Sequence, residues 1–285
     1  MLPAVAQHAP PAPSSRLPAE PTPLMRGAAL VRSIIFITVF YLNTAVFLLF
    51  GSPLLLAPRS WAMAGLRAHA RASLWWMRII VGTKMEVRGR QHLPDGAALI
   101  AAKHQSAWDT FALVPLFRDP AMVMKAELGG IPFYGWFSRK FEHILVKRDK
   151  AASALRQMIR EARDRAAQHR DIVIFPEGTR RLPGAPPDYK SGVVALYEGL
   201  DRPCVPVALN SGMFWPRGSL RKRSGTIVVE LLEVIPPGLP RKEFRRLLIE
   251  RVEAATERLR IEAEHELGLP ATTNRLEVPA AEEQK

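Results

Sequence analysis

Between Arg32 and Arg59 the chain carries no charged residue, and a soluble domain of this size seldom hides such a run. Its uninterrupted part, residues 33–50, would extend roughly 27 Å as a helix, close to the hydrocarbon thickness of a bilayer. Gly51 and Pro53 then end or bend it. Length and uniform apolarity predict membrane insertion over a buried core helix. The run starts late and no clean small-residue cleavage motif follows it, so it reads as a retained helix and not a cleaved signal.

Residues 61–81 have a different pattern. Arg67, Arg71 and Arg78 share one helical side, with Leu66, Trp76 and Ile80 roughly opposite. A cationic stripe beside tryptophans suits a helix lying in a headgroup layer. His69 falls on the apolar side and reads as a satisfied core histidine. Together the two stretches predict a membrane-associated two-helix segment, residues 28–82, after an Ala- and Pro-rich tail, residues 1–27. The basic residues that follow the first helix place the remainder on the cytoplasmic face, by the positive-inside tendency.

Charge narrows the partners. With 40 Lys and Arg against 27 Asp and Glu, the formal charge is +13, which selects nucleic acid or an anionic membrane surface. No nucleic-acid-binding motif is recognisable, and two membrane-seeking helices favour the lipid surface. Cys204 is the only cysteine, which excludes an internal disulfide and a multi-cysteine metal site. It reads as a small buried hydrophobe in a strand.

From Lys84 onward, strand-length apolar runs alternate with helical periodicity. Candidate strands fall at 85–88, 97–101, 122–125, 143–147, 172–175, 204–209 and 226–232, and candidate helices at 108–117, 150–168, 191–199 and 242–266. Asp149 suits the N-cap of the second helix and Gly199 the end of the third. The pattern predicts one α/β domain, residues 83–270, with a single mainly parallel or mixed sheet flanked by helices. A patternless tail, residues 271–285, follows. In open sheets of this kind ligands collect beyond the carboxyl ends of strands.

Three segments put polar side chains at such ends, and a fourth shapes an apolar wall. His104 follows a strand and Asp109 opens the next helix. On one continuous helix the two would point about 140° apart, so they can meet only across a turn. An Asp on one ring nitrogen fixes the tautomer and leaves the other nitrogen as a general base. Ser106 lacks a Gly-x-Ser-x-Gly setting and reads as a helix-entry cap. The run Phe175-Pro176-Glu177-Gly178-Thr179-Arg180 carries a strand into a loop with a close-approach Gly and a planar guanidinium for phosphate oxygens. Glu177 can bond back to that loop. Residues 143–148 form a strand that ends in Lys147 and Arg148, and 204–209 form a strand with Pro206, which suits an edge or a bulge.

In this order, the four segments resemble the glycerolipid acyltransferase family, specifically the bacterial 1-acylglycerol-3-phosphate acyltransferases. The resemblance covers residues 84–210. It implies a domain seated on the membrane, at a bacterial inner membrane, with His104 as base and Asp109 as its orienting partner. It implies Arg148, Glu177, Gly178, Thr179 and Arg180 around the acceptor's phosphate, Pro206 near the acyl group, and Lys190 and Gly192 as a supporting Lys-x-Gly element. Phosphatidic acid would be the product, acyl-CoA or acyl-carrier protein the donor, lysophosphatidic acid the acceptor, with no metal or prosthetic group. There are departures. Lys103 stands where Asn usually precedes the histidine, and Glu142 and Leu145 stand where Gly and Phe are frequent. The first change leaves the catalytic pair intact; the second touches the acceptor side, so another lysolipid such as lyso-ornithine lipid is the alternative acceptor. A non-catalytic phospholipid-binding module is the alternative class.

Overall fold

The computed structural model describes residues 23–147 and 151–270. The tail 271–285, Arg148 and Asp149 lie outside them, as does all but the last part of the tail 1–27.

Seven strands form one mixed sheet in the order β1-β7-β6-β2-β5-β3-β4. They are β1 (Thr83–Arg88), β2 (Leu99–Ala102), β3 (Ala121–Lys125), β4 (Ile144–Val146), β5 (Ile172–Ile174), β6 (Cys204–Leu209) and β7 (Gly225–Leu231). Every neighbouring pair is parallel except β6–β7. The helices are α1 (Pro23–Phe50), α2 (Arg59–Ile80), α3 (Asp109–Ala112), α4 (Tyr134–Lys140), α5 (Ala151–Ala167), α6 (Ser191–Leu200), α7 (Ser211–Phe214) and α8 (Arg241–Glu266).

Strand β2 sits in the middle and is apolar and buried throughout, as a strand covered on both faces must be. Ile100 and Ala102 join a core built with Phe36 of α1, Ala70 and Met77 of α2, and Trp108, Phe111 and Phe214. Leu99 and Ala101 face the other way, onto Met158 of α5, Leu196 and Tyr197 of α6, and Phe244, Leu248 and Val252 of α8. The sheet is therefore sandwiched, with the two N-terminal helices on one face and α5, α6 and α8 on the other.

Helix α1 begins at Pro23, inside the stretch read from sequence as tail; proline is well suited to a first helical turn. It is the one helix among the described residues long and apolar enough to cross a membrane, and its window is only 11% buried. One side of it is nevertheless held by the α/β domain. Phe36 is fully buried, and Ser33 Oγ accepts the Lys222 N–H at 2.9 Å. The remaining side, with Ile34, Ile35, Tyr41, Val46 and Leu49, is exposed. Between α1 and α2, Asn43 Nδ2 donates to Ser73 Oγ at 3.0 Å, and His69 Nε2 lies 3.1 Å from Thr44 Oγ1. His69 thus belongs to the helix packing, while Arg71 and Arg78 are exposed beside Trp75.

Two sequence expectations need correction, and a third, edge or bulge at Pro206, resolves to the bulge. The helix expected at 108–117 stops at Ala112 and resumes as a 3₁₀ turn, Val114–Leu116, because Pro115 cannot donate to a carbonyl one turn back. Helix α4 lies where no element was expected. Strand β6 is not an edge; it pairs with both β2 and β7. Pro206 is tolerated there because it sits just past the β6–β7 ladder, which begins at Val207↔Leu231. Its carbonyl still accepts the Leu232 N–H at 2.9 Å. Beyond it Cys204 bridges Ile235, so the partner carries one extra residue, the count that makes a bulge.

Candidate active site

Strands β2, β5 and β6 lie side by side and parallel, so their carboxyl ends open together. Three loops meet there. His104 follows β2, the 175–181 loop follows β5, and Asn210 and Ser211 follow β6.

The turn between β2 and α3 closes on Asp109, which is fully buried. Its Oδ2 accepts the backbone N–H groups of Gln105 at 2.8 Å and Ser106 at 2.9 Å. That folds the chain back far enough for His104 Nδ1 to reach the same oxygen at 2.9 Å. A carboxylate only accepts, so Nδ1 donates, and in the neutral ring Nε2 is then the nitrogen with the lone pair. Ser106 Oγ accepts the Trp108 N–H at 3.2 Å, a turn contact and not the helix cap expected of it, since α3 starts at Asp109 without a side-chain cap. The His104 ring stacks on Phe175, 4.0 Å between centroids at 20°. Phe175 packs against the core that α1 and α2 cover. The ring is thus held on two sides, and Nε2 has no hydrogen-bond partner among the described residues.

The loop after β5 is pinned to the same place. Gly178 has φ +63°, a left-handed conformation in which other residues are strained. Arg181 N–H donates to the His104 carbonyl at 2.8 Å, and Lys190 N–H to the Pro176 carbonyl at 2.9 Å. Thr179 and Arg180 are half-buried, and the Arg180 carbonyl accepts from Arg217 Nη1 at 3.0 Å. Arg217 adds an exposed cation that no motif marked.

Glu177 is turned inward instead of bonding back to its own loop. It is 1% exposed and accepts from Lys103 Nζ at 2.9 Å. Burial pushes its carboxyl above the usual range, and Lys103 opposes that shift. Lys190 is exposed and paired with Asp188 at 2.7 Å, while Gly192 lies in the first turn of α6. Pro206 pairs in register with Ala101, whose side chain faces α5, α6 and α8. It therefore lies on the face opposite the His104–Phe175 stack. His143, at the start of β4, accepts the Met122 N–H at 3.2 Å, and burial with nearby Arg170 lowers its pKa to about 3. It is neutral and structural. Among the described residues no three His, Cys, Asp or Glu side chains form a metal-ligand set.

Sequence reasoning missed Ser211. Its hydroxyl donates to Asp109 Oδ1 at 2.5 Å, so the carboxylate accepts four hydrogen bonds. Gly212 N–H donates to Gln105 Oε1 at 3.0 Å. A Cβ on Gly212 would sit 2.9 Å from Pro183 and 3.0 Å from Gln105, so only glycine lets the three loops meet. The usable signal was position: Ser211 follows β6 as His104 follows β2.

Comparison with known proteins places this geometry in context. Residues 84–210 match the Acyltransferase family model. A 1-acyl-sn-glycerol-3-phosphate acyltransferase of Pseudomonas aeruginosa is 35% identical over 159 residues, 56% of this chain and 62% of that protein. A Saccharomyces cerevisiae protein of the same description is 28% identical, over 58% of this chain and 56% of its own. The chain spans between about half and two thirds of these curated relatives' lengths. The crystal structure of the 1-acyl-sn-glycerophosphate acyltransferase of Thermotoga maritima has the same fold. Its TM-score is 0.69 at 22% identity, covering 81% of this chain and 97% of that one.

Proposed function

We propose that this chain, an Acyltransferase-family protein over residues 84–210, moves a fatty acyl group from acyl-CoA or acyl-carrier protein to the sn-2 hydroxyl of 1-acylglycerol-3-phosphate. The observation that carries the reading is the His104–Asp109 contact, 2.9 Å at Nδ1, which leaves Nε2 for the acceptor on a residue whose carbonyl is bonded by the Arg-bearing loop. The names of the relatives supply the acceptor class.

In the scheme, Nε2 takes the hydroxyl proton as the oxygen attacks the thioester carbonyl. The new C–O ester bond forms, the C–S bond breaks, and the imidazolium returns its proton to the leaving thiolate. Asp109 holds the ring and stabilises its charged form. Arg180, Thr179 and the Gly178 backbone, with Arg148, hold the acceptor's phosphate, so binding energy places the hydroxyl at the base. Loss of the donor's thiol makes transfer effectively one-way without a covalent acyl-enzyme.

The exposed side of α1 and the Arg71–Trp75–Arg78 face of α2 would sit in the membrane, at its cytoplasmic surface. Because the α/β domain occupies the other side of α1 at Ser33 and Phe36, α1 would lie along the bilayer interface instead of crossing it.

The test is an acceptor and donor screen with purified protein in mixed micelles. Lysophosphatidic acid, glycerol-3-phosphate, other lysophospholipids and lyso-ornithine lipid would each be offered with acyl-CoA and acyl-carrier protein. Preferred turnover of lysophosphatidic acid supports the reading. Preference for lyso-ornithine lipid replaces its acceptor, and no transfer from either donor removes it.

A further inference from the structure

The 177–180 loop is attached at both ends to consecutive residues of one strand terminus. At its far end Arg181 N–H bonds the His104 carbonyl at 2.8 Å. At its near end Glu177 bonds the side chain of Lys103, the residue before His104, at 2.9 Å. Lys103 is 3% exposed and Glu177 1%. Glu177 Oε2 has no hydrogen-bond partner among the described residues. The Lys103 ammonium is therefore the hold on this carboxylate.

That ammonium is itself shared. Glu253 of α8 accepts from Lys103 Nζ at 2.7 Å, and the same Oε1 accepts from Tyr189 O–H at 2.9 Å. Glu253 rises from a firm base, since its neighbour Val252 is fully buried in the core. Tyr189 is buried too and immediately precedes Lys190, whose N–H closes the loop on Pro176. Two carboxylates on one buried ammonium are an expensive arrangement, because charges removed from water must be matched locally. A polar cluster of this cost at the back of a reactive loop calls for a role.

We propose that Glu253 is a positioning residue: through Lys103 it sets where Glu177 lies, and thereby where the Gly178–Thr179–Arg180 backbone stands relative to His104. The distance from the phosphate-holding loop to the base is then referenced to α8, an element outside the matched segment 84–210. The kinetic consequence rests on the acceptor reading above; the structural consequence does not.

Two measurements test it, on the full-length protein. In Glu253→Ala, amide hydrogen exchange in residues 176–183 should rise severalfold against wild type, while exchange in β2 stays protected. The acceptor KM should rise about tenfold, with the donor KM unchanged and kcat reduced by less than about threefold, the pattern of lost acceptor binding. Lys103→Met leaves the buried Glu177 carboxylate facing the partly buried one of Glu253 with no cation between them, and should fall about a hundredfold in kcat/KM. Adding Glu253→Gln to Lys103→Met should recover about tenfold of that, because one of the two charges is gone.

Unchanged exchange at 176–183 in Glu253→Ala overturns the proposal whatever the substrate. So does an equal rise in donor and acceptor KM, which would report general loosening. If wild type acylates no lysophosphatidic acid, the acceptor reading fails while the exchange result still decides this one.

Discussion

Ser211 donates its hydroxyl to Asp109 Oδ1 at 2.5 Å across 102 residues of sequence. The bond joins the end of β6 to the turn after β2, so the carboxylate that holds the histidine is fixed from outside its own motif. Replacing Ser211 with Ala removes one of four hydrogen bonds to a buried carboxylate and should cost about 1.5–3 kcal/mol of stability. The Nδ1 contact is left in place, so transfer should fall only about tenfold. Urea unfolding and steady-state kinetics on the same preparation check both halves. A variant with wild-type stability would mean that Ser211 merely neighbours the site.

Gly212 should tolerate no side chain. In Gly212→Ala the new methyl meets Pro183 at 2.9 Å and Gln105 at 3.0 Å, and overpacking of this kind costs about 1–3 kcal/mol. The strain falls between the histidine turn and the loop after the Arg-bearing segment. Activity should therefore drop further than the loss of stability alone explains, measured as transfer rate at a temperature where both proteins are fully folded.

Asp109→Asn should be far more damaging than its size suggests. The amide has one oxygen to accept with and sets a donating NH2 against groups that donated to the other, which favours the wrong imidazole tautomer. A fall in kcat on the order of a thousandfold is expected, with the acceptor KM little changed. A loss smaller than tenfold would argue that Asp109 only caps the turn.

His143 gives a pH signature. Burial with Arg170 nearby lowers its pKa to about 3, against 6.5 unperturbed, and Asp119 partly opposes the shift. The unfolded state thus binds one more proton between these values, so this residue makes the protein lose stability as pH falls below about 6.5. The residue is partly exposed, so the slope should be below the full ~1.4 kcal/mol per pH unit. Urea midpoints from pH 7 to 5 should fall less steeply in His143→Asn than in wild type. Parallel slopes would contradict the shift.

The exposed side of α1 can be tested apart from catalysis. Ile35 and Val46 are 47% and 52% exposed. Placing Asp at both should shift the protein from pelleted anionic vesicles toward the supernatant, since an anion on this side opposes both apolar burial and attraction to an anionic surface. The Ser33–Lys222 and Phe36 contacts lie on the other side, so the folded domain should keep its melting temperature.

What the sequence revealed follows from range. Strand β6 has the bounds that alternation and composition predicted, and all seven strands were found, because a buried strand writes its apolar run locally. The His104–Asp109 contact was readable too, as a strand end followed by a helix start. Pro206 left edge and bulge both open, because a proline signals only that one ladder bond is missing; the structure has the bulge. Helix α4 was lost in a Gly- and aromatic-rich stretch that shows no polar face. Ser211 and Glu253 were invisible for one reason: each reaches the site from a different element, 102 and 150 residues away from its partner. Such partners depend on the order of strands in the sheet, which no local pattern encodes. Glu177 belongs to the same group, since its inward turn follows from the lysine at position 103.

If His104 Nε2 removes the acceptor's proton, transfer from radiolabelled acyl-CoA to lysophosphatidic acid by His104→Ala should fall at least about a thousandfold in kcat, with membrane sedimentation and the melting temperature retained. Labelled phosphatidic acid formed at the wild-type rate by the variant would contradict that role.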